Sequence, residues 1–189
     1  MATDPKPRFT PDEYLALERR SESKNEYLDG EIYAMTGASR RHNLITGNIL
    51  AALHAQLRKN GGCEVYSHDM RVRVPATDLY TYPDVVVACG EPRFEDSELD
   101  TLLNPVLIVE VLSKSTEDYD RGTKFAHYRT IPSMAEYLVV SQGHIHVEHW
   151  VRESDRWVLT ETDELASTLE LPSIGCTLEL ADVYDRVFS

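Results

Sequence analysis

The chain has 189 residues, of which 42% are hydrophobic and 27% are charged, a composition typical of a globular protein. It carries 19 Lys and Arg against 32 Asp and Glu, so the formal net charge is −13. Because DNA attracts proteins mainly through clustered Lys and Arg, this charge excludes a protein that coats DNA uniformly but not one with a local positive cleft. No apolar run approaches a membrane span, and the N-terminus lacks the apolar core of a signal peptide. We therefore expect a cytoplasmic protein with no membrane partner.

The first part of the chain predicts a helix, a β-hairpin and a longer helix. Thr10 followed by Glu13 resembles a capping box that opens the first helix. Asp29-Gly30 lies between two β-type runs and is typical of a tight hairpin turn. Over residues 39–58, apolar residues at spacings of three and four predict an amphipathic helix that ends before two glycines.

The middle of the chain predicts strands. Residues 63–75 alternate like a strand or a hairpin, and residues 83–89 and 106–112 are continuous β-branched runs. Such runs are typical of central strands that are buried on both faces. The acidic segment 91–100 between them predicts a surface loop.

The last part predicts one more helix and a β-meander. Ser115 with Asp118 resembles a capping box for a helix that reaches about Arg129. Three further β-type runs with short turns follow between residues 136 and 162. The sequence therefore predicts an α/β, or mixed α+β, sandwich around a central sheet. With no repeat or linker to divide it, we expect one domain over residues 1–189.

The three cysteines, Cys63, Cys89 and Cys176, are odd in number and widely spaced. This pattern argues against a disulfide framework and against a zinc knuckle. We expect each of them to be a small buried apolar residue.

Each of the two buried-type strands contains one acid, Asp84 in the first and Glu110 in the second. A buried carboxylate normally has a cation or a metal beside it, because burying its charge alone is costly. If the strands are neighbours, both acids could face one cleft and bind a divalent ion that prefers oxygen ligands, Mg²⁺ or Mn²⁺. Alternatively, Asp84 could cap a turn, and Glu110 could form a structural ion pair with Lys or Arg.

The helix after the second strand offers such a cation. Asp120, Lys124 and Tyr128 follow one another at spacings of four and share a helix face. A helix that packs back on the sheet could direct this face toward Glu110. The alternative is an ordinary surface ion pair between Asp120 and Lys124.

In combination, Pro83-Asp84, a strand with Glu110 and a lysine behind it resemble the PD-(D/E)XK nuclease superfamily. More closely, a set of segments is similar to the bacterial Uma-type family of restriction-endonuclease-like proteins, over roughly residues 11–150. These segments are EYLDGEIYAMTGAS, His42, YPDVVV, LIVEVLSKSTEDYDRGTKFAHYR and EYLVV. The resemblance implies a restriction-endonuclease-like core, a mixed sheet flanked by helices with extra β-hairpins, and metal-dependent hydrolysis of DNA.

The resemblance also implies roles for individual residues. Asp84 and Glu110 become metal ligands, and Glu26 matches an additional acid from the N-terminal part of the core. The superfamily lysine usually stands two residues after the second acid, where this chain has Leu112. In this branch the lysine is expected on the following helix, as Lys124. It would orient or deprotonate the attacking water, or stabilise the transition state.

Several residues around this set are candidates for substrate contact. His42 lies at the start of the second helix, where it could contact the scissile phosphate or a water, or could simply pack there. The cations that could line a DNA-binding cleft are Arg40, Arg41, Lys114 and Arg121. A homodimer is plausible because cutting two strands needs two sites.

Other readings are possible. His144, His146 and Glu148 share a strand face and could bind zinc, although we expect this face to point to solvent. An inactive binding or interaction module with a nuclease fold is the main rival function, and a metal hydrolase for another phosphoester is a third. Leu112 favours the inactive module, whereas the two acids favour catalysis.

Overall fold

The computed structural model describes residues 7–113 and 117–189. The candidate DNA contact Lys114 and the predicted cap Ser115 lie outside these ranges. The described helical segments are α1 (Pro11–Glu18), α2 (Arg40–Asn60), a π-helical segment (Tyr119–Lys124), α3 (Phe125–Tyr128) and α4 (Leu180–Val183). The described strands are β1 (Asn25–Leu28), β2 (Glu31–Ala34), β3 (Cys63–Ser67), β4 (Arg71–Val74), β5 (Leu79–Thr81), β6 (Val85–Cys89), β7 (Thr101–Leu102), β8 (Leu107–Leu112), β9 (Glu136–Ser141), β10 (Val147–Glu153), β11 (Arg156–Thr162), β12 (Thr168–Leu171) and β13 (Cys176–Glu179).

The described strands form three sheets. A six-stranded sheet has the order β11-β10-β9-β8-β6-β3, a five-stranded sheet has the order β2-β1-β5-β4-β7, and β12 pairs with β13. At the centre of the larger sheet, β8 is antiparallel to β6 and parallel to β9. The π-helical segment and α3 lie in the connection between the parallel strands β8 and β9. The predicted mixed sheet with flanking helices is therefore confirmed.

The central strands β6, β8 and β9 of the six-stranded sheet are buried on both faces, as their β-branched runs predict. The predicted apolar stripe of α2 packs on one face, together with β12, β13 and α4. The other face packs against the five-stranded sheet and α3. The ends of β6 and β8 consequently lie between two layers of protein.

Several local predictions are confirmed. Thr10 and Glu13 form a reciprocal capping box at the start of α1. Asp29 and Gly30 have positive φ angles of 47° and 83° in the turn between β1 and β2. The run from β9 to β11 is the predicted antiparallel meander.

Two predictions are wrong. Residues 63–75 are not one hairpin, because β3 joins the six-stranded sheet and β4 joins the five-stranded sheet. Cys63 and Cys89 are not independent apolar residues, because they face each other across the β3–β6 pair and form a disulfide. Cys176 is free and buried, as expected. Among the described helices, none is long and apolar enough to cross a membrane.

Candidate active site

Asp84 and Glu110 meet at one end of the central strands. Val85 pairs with Val109 in the antiparallel register of β6 and β8, so Asp84 falls opposite Glu110 when the register is extended by one residue. The Asp84 carboxylate accepts a hydrogen bond through Oδ2 from the backbone N–H of Val111, at 2.7 Å. The Glu110 side chain is almost fully buried, at 6% exposure. The predicted convergence of two acids on neighbouring strands is therefore present.

His42 lies beside Asp84. The side chain of Ser39 caps α2 by accepting a hydrogen bond from the backbone N–H of His42 at 3.1 Å. This cap fixes the first turn of α2 against the sheet, and the His42 Nε2 atom lies 3.1 Å from Asp84 Oδ2. Among the described residues, both contacts to Asp84 use Oδ2, so its Oδ1 atom can accept a further ligand.

Lys124 occupies the centre of a group of carboxylates. Its Nζ atom lies 3.0 Å from Glu110 Oε1, 3.1 Å from Glu26 Oε1 and 3.6 Å from Asp120 Oδ1. The pair of Asp120 and Lys124 is not a surface pair, because both side chains are buried. The helix face that the spacing predicted is directed at Glu110, although residues 119–124 form a π-helical turn.

Burial and neighbouring charges shift the pKa values of Glu110 and Lys124. Burial raises the pKa of Glu110 to about 8; Lys124 opposes this rise, and the negative charges of Asp120 and Asp84 add to it. Burial disfavours the charged form of Lys124, but the carboxylates of Glu110, Glu26 and Asp120 raise its pKa well above its ordinary value. The positive charge of Lys124 is therefore stabilised by the carboxylates around it, with Glu110 contributing most.

Tyr128 and Thr81 complete the group and were not identified as site residues from the sequence. The Tyr128 hydroxyl donates a hydrogen bond to Glu110 Oε1 at 2.7 Å. Thr81 Oγ1 donates one to Glu26 Oε1, which holds that carboxylate toward Lys124. The spacing of four residues from Lys124 indicated the position of Tyr128, whereas no local signal linked Thr81 to Glu26.

The chain has relatives along most of its length. The model of the Uma2 family, described as "Putative restriction endonuclease", matches residues 11–181. This chain belongs to the Uma2 family. Two uncharacterized proteins of Synechocystis are similar to it: slr1290 is 38% identical, with 95% of this chain and 93% of that protein covered, and sll1609 is 40% identical, with 81% and 86% covered.

A crystal structure shares the fold. It is that of a putative nuclease belonging to DUF820 from Anabaena variabilis, with a TM-score of 0.76 and 16% sequence identity. The alignment covers 95% of this chain and 99% of the other. At this identity the likeness shows the fold, which is the restriction-endonuclease-like fold expected for the family.

The candidate DNA contacts are spread around the site. The guanidinium of Arg40 donates a hydrogen bond to the backbone carbonyl of Arg186 at 3.2 Å, and that of Arg41 lies 5.1 Å from the ring centroid of Phe188. Both arginines are exposed at the start of α2, on the helix that carries His42. Arg121 is instead held by two carboxylates, those of Glu117 and Glu148. The fourth predicted cation, Lys114, is outside the described residues.

The rival zinc site has a different environment from the one expected. Glu148 does not point to solvent but is 8% exposed and pairs with Arg121. His146 Nε2 lies 3.9 Å from Glu148 Oε1 and 3.6 Å from Glu161 Oε1. Within residues 7–113 and 117–189, no three His, Cys, Asp or Glu side chains are arranged to hold a metal by themselves.

The donor set at Asp84 and Glu110 nevertheless suits Mg²⁺ or Mn²⁺. Mg²⁺ is usually held by one or two carboxylates together with waters and substrate phosphate, so a cage of three protein ligands is not required. Four carboxylates belong to this site: those of Glu26, Glu110 and Asp120 surround the Lys124 ammonium, and that of Asp84 adds its negative charge beside Glu110. A divalent cation would offset the remaining negative charge.

Proposed function

We propose that this protein is a metal-dependent endonuclease that hydrolyses DNA phosphodiester bonds with Mg²⁺ or Mn²⁺. One observation carries the proposal: Asp84 and Glu110 lie on neighbouring strands at one end of the sheet, and the Lys124 ammonium is 3.0 Å from Glu110. Membership of the Uma2 family supports a nuclease, and the carboxylate pair supports metal-dependent chemistry. A cytoplasmic location and a homodimer with two sites for two strands belong to the same proposal.

Asp84 and Glu110 would hold the metal, and Glu26 would assist them. When bound, the metal would polarise the scissile phosphate and supply a water of lowered pKa. Asp84 is suited to this role because Val111 and His42 fix its Oδ2 atom, so that Oδ1 could bind the metal. Tyr128 fixes Glu110 in the same way through Oε1.

Lys124 would act as a permanent cation rather than as a base. Three carboxylates raise its pKa, so it cannot readily give up a proton near neutral pH. A fixed positive charge in a buried site stabilises negative charge that develops on the phosphoryl oxygens. His42, at 3.1 Å from Asp84, would keep that carboxylate in position and donate to the phosphate or to a water.

The second candidate is an inactive module that binds nucleic acid with a nuclease fold. Leu112 favours it, because this residue stands where the superfamily usually has a lysine. Against it, the ammonium of Lys124 reaches Glu110 from the crossover segment and supplies the missing charge.

Nicking of supercoiled plasmid in Mg²⁺ or Mn²⁺ tests the proposal. The wild-type protein should nick the plasmid, and Asp84→Asn and Glu110→Gln should reduce nicking to background because each removes a charged metal ligand. Glu136→Gln is the matched control: Glu136 is a buried acid on the adjacent strand β9, but it pairs with His149 and not with this site. Equal nicking by the wild type and Glu110→Gln would refute the assignment.

A further inference from the structure

An exposed strip of the chain, residues 33–41, joins two sides of the candidate site. It begins at Tyr33 in β2, which pairs across the strands with Glu26 in β1. It ends at Arg41, directly before His42. Every residue of the strip is exposed, although both neighbouring elements pack against the core. A ligand that lies along this strip would therefore pass beside both Glu26 and His42.

The strip has an apolar end beside Glu26. Directly opposite residues of an antiparallel pair lie on the same face of the sheet, with Cβ atoms about 5 Å apart. Ile32 packs with the aromatic cluster of Tyr14, Tyr27 and Tyr80 on the other face, so Tyr33 lies on the face of Glu26. The Tyr33 side chain is 48% exposed and that of Met35 is 37% exposed.

The strip exposes large apolar side chains. The described residues include seven exposed ones, and two of these, Tyr33 and Met35, belong to the strip. A third, Phe188, stacks under the guanidinium of Arg41 at the other end. An exposed aromatic ring beside a site offers a face on which a planar group can stack.

The strip also has a favourable charge for a polyanion. No Asp or Glu occurs from Ile32 to Cys63, and this tract contains Arg40 and Arg41. In a chain with a net charge of −13, the acid-free tract therefore reaches the edge of the carboxylate site.

We propose that the strip binds a single-stranded segment of the nucleic acid substrate, with an unpaired base stacked on Tyr33 and its phosphates at Arg40 and Arg41. Proteins that bind single strands of any sequence stack the bases on aromatic side chains and pair the phosphates with Lys or Arg. A paired base in a duplex has both faces covered by its neighbours, so the ring of Tyr33 selects an unpaired one. The inference rests on the proposed nuclease function and specifies its substrate as DNA with unpaired bases near the cut.

Fluorescence anisotropy tests this inference with a labelled DNA oligonucleotide of about 12 nucleotides, within the usual length of single-strand sites. Affinity is measured for the single strand and for its blunt duplex, with Ca²⁺ in place of Mg²⁺ and with a gel to confirm that the probe stays intact. We expect tighter binding of the single strand. Tyr33→Ala should weaken that binding roughly 5- to 100-fold, the effect of losing one stacked base.

Two further variants control the experiment. Tyr33→Phe keeps the ring and removes the hydroxyl, which donates to Glu31, so stacking should be retained and binding should resemble that of the wild type. Leu165→Ala removes another exposed apolar side chain, of 45% exposure, that is not part of the strip, and should have no effect. Single-strand binding that is unchanged in Tyr33→Ala, or absent from the wild type, would overturn the inference.

The plasmid assay separates this inference from the nuclease proposal. Binding that depends on Tyr33 without any cleavage would refute the nuclease and leave the binding strip in place. Cleavage with binding that does not depend on Tyr33 would uphold the nuclease and refute the strip.

Discussion

Lys124 supplies the positive charge that allows four acids to lie in one site. Removing a single partner from a buried ion pair leaves an uncompensated charge, whereas an exposed pair contributes little. The Lys124 side chain is 7% exposed, and three carboxylates lie within 3.6 Å of its ammonium group. Its positive charge is therefore needed for the folding of the site as well as for the proposed chemistry.

We expect Lys124→Met to lower the free energy of unfolding by about 3–5 kcal/mol, because it leaves buried carboxylates without their cation. Adding Glu110→Gln to this variant should restore part of the loss, since one of the competing charges is then removed. Urea denaturation measures both effects. Arg156→Met provides the control, because Arg156 pairs with Glu153 at the surface and its loss should change stability little. Equal effects of Lys124→Met and Arg156→Met would show that the cluster is not held by charge.

The residues of the site differ in how far the sequence predicts them. Asp84 and Glu110 could be identified because acids inside apolar strands are unusual, and Lys124 because it repeats at the helical spacing with Tyr128. The contact of His42 with Asp84 could not be derived, because it joins a helix and a strand 42 residues apart in sequence. A single sequence contains no signal for such a contact unless the packing of α2 on the sheet is already known.

Among the secondary-structure elements, the loop before β10 connects both halves of the site. The amide of Gln142 donates from Nε2 to the carbonyl of Leu112 at 2.6 Å, at the end of the strand that carries Glu110. Its Oε1 atom accepts a hydrogen bond from Ser39, the cap of the helix that carries His42. Gln142 thus sets the distance between the start of α2 and the end of β8.

Replacing Gln142 by Leu should lower kcat for cleavage more than it raises KM. The acids and His42 lose alignment, whereas the contact of Gln142 with the strip is to Ser39, which is not one of the proposed ligand contacts. Steady-state kinetics on an oligonucleotide substrate measure this division. Gln56→Leu is a matched control. Gln56 also donates from Nε2 and accepts through Oε1, in both cases with the backbone of Thr177, but it lies far from the site. It should reduce stability and leave the rate per folded molecule unchanged. A rate in Gln142→Leu equal to that in Gln56→Leu would argue against the positioning role.

Elements with a strong local pattern can be predicted from the sequence, whereas the pairing of one strand with another cannot. The hairpin at Asp29-Gly30 and the stripe of α2 follow from residues close together in sequence. The alternation in residues 63–75 correctly indicated strands, but it does not reveal that β3 and β4 pair in different sheets. The disulfide was missed for the same reason, since it depends on β3 lying next to β6.

At the scale of the whole molecule, the negative charge lies mostly away from the site. Residues 91–100 contribute −4 and residues 153–189 contribute −7 to the net charge of −13. The remaining residues, which include every candidate site residue, contribute only −2. An acidic protein can therefore still bind a phosphate chain locally, with few ionic contacts.

The salt dependence of binding should reflect this small number of contacts. Each phosphate neutralised on a single strand contributes about 0.7 to the slope of log affinity against log salt. We therefore expect the double variant Arg40→Gln, Arg41→Gln to reduce the slope by roughly 1.4. The control Arg58→Gln, Lys59→Gln removes the same charge from the last turn of α2. Equal changes of slope in the two double variants would mean that only the net charge matters.

The disulfide between Cys63 and Cys89 links the outer strand β3 covalently to β6, and reduction removes this link. Cys89 is five residues from Asp84 along β6, so the bond lies roughly 16 Å from the site and its reduction should leave the carboxylates in place. β3 is an end strand of its sheet and, among the described strands, pairs only with β6, so it can open locally without global unfolding. Amide hydrogen exchange of β3 should therefore accelerate on reduction while that of β8 and β9 stays slow; identical exchange in both redox states would contradict this. Because thiols are mostly reduced in the cytosol, the protection of this edge strand would follow the redox state of the protein's surroundings.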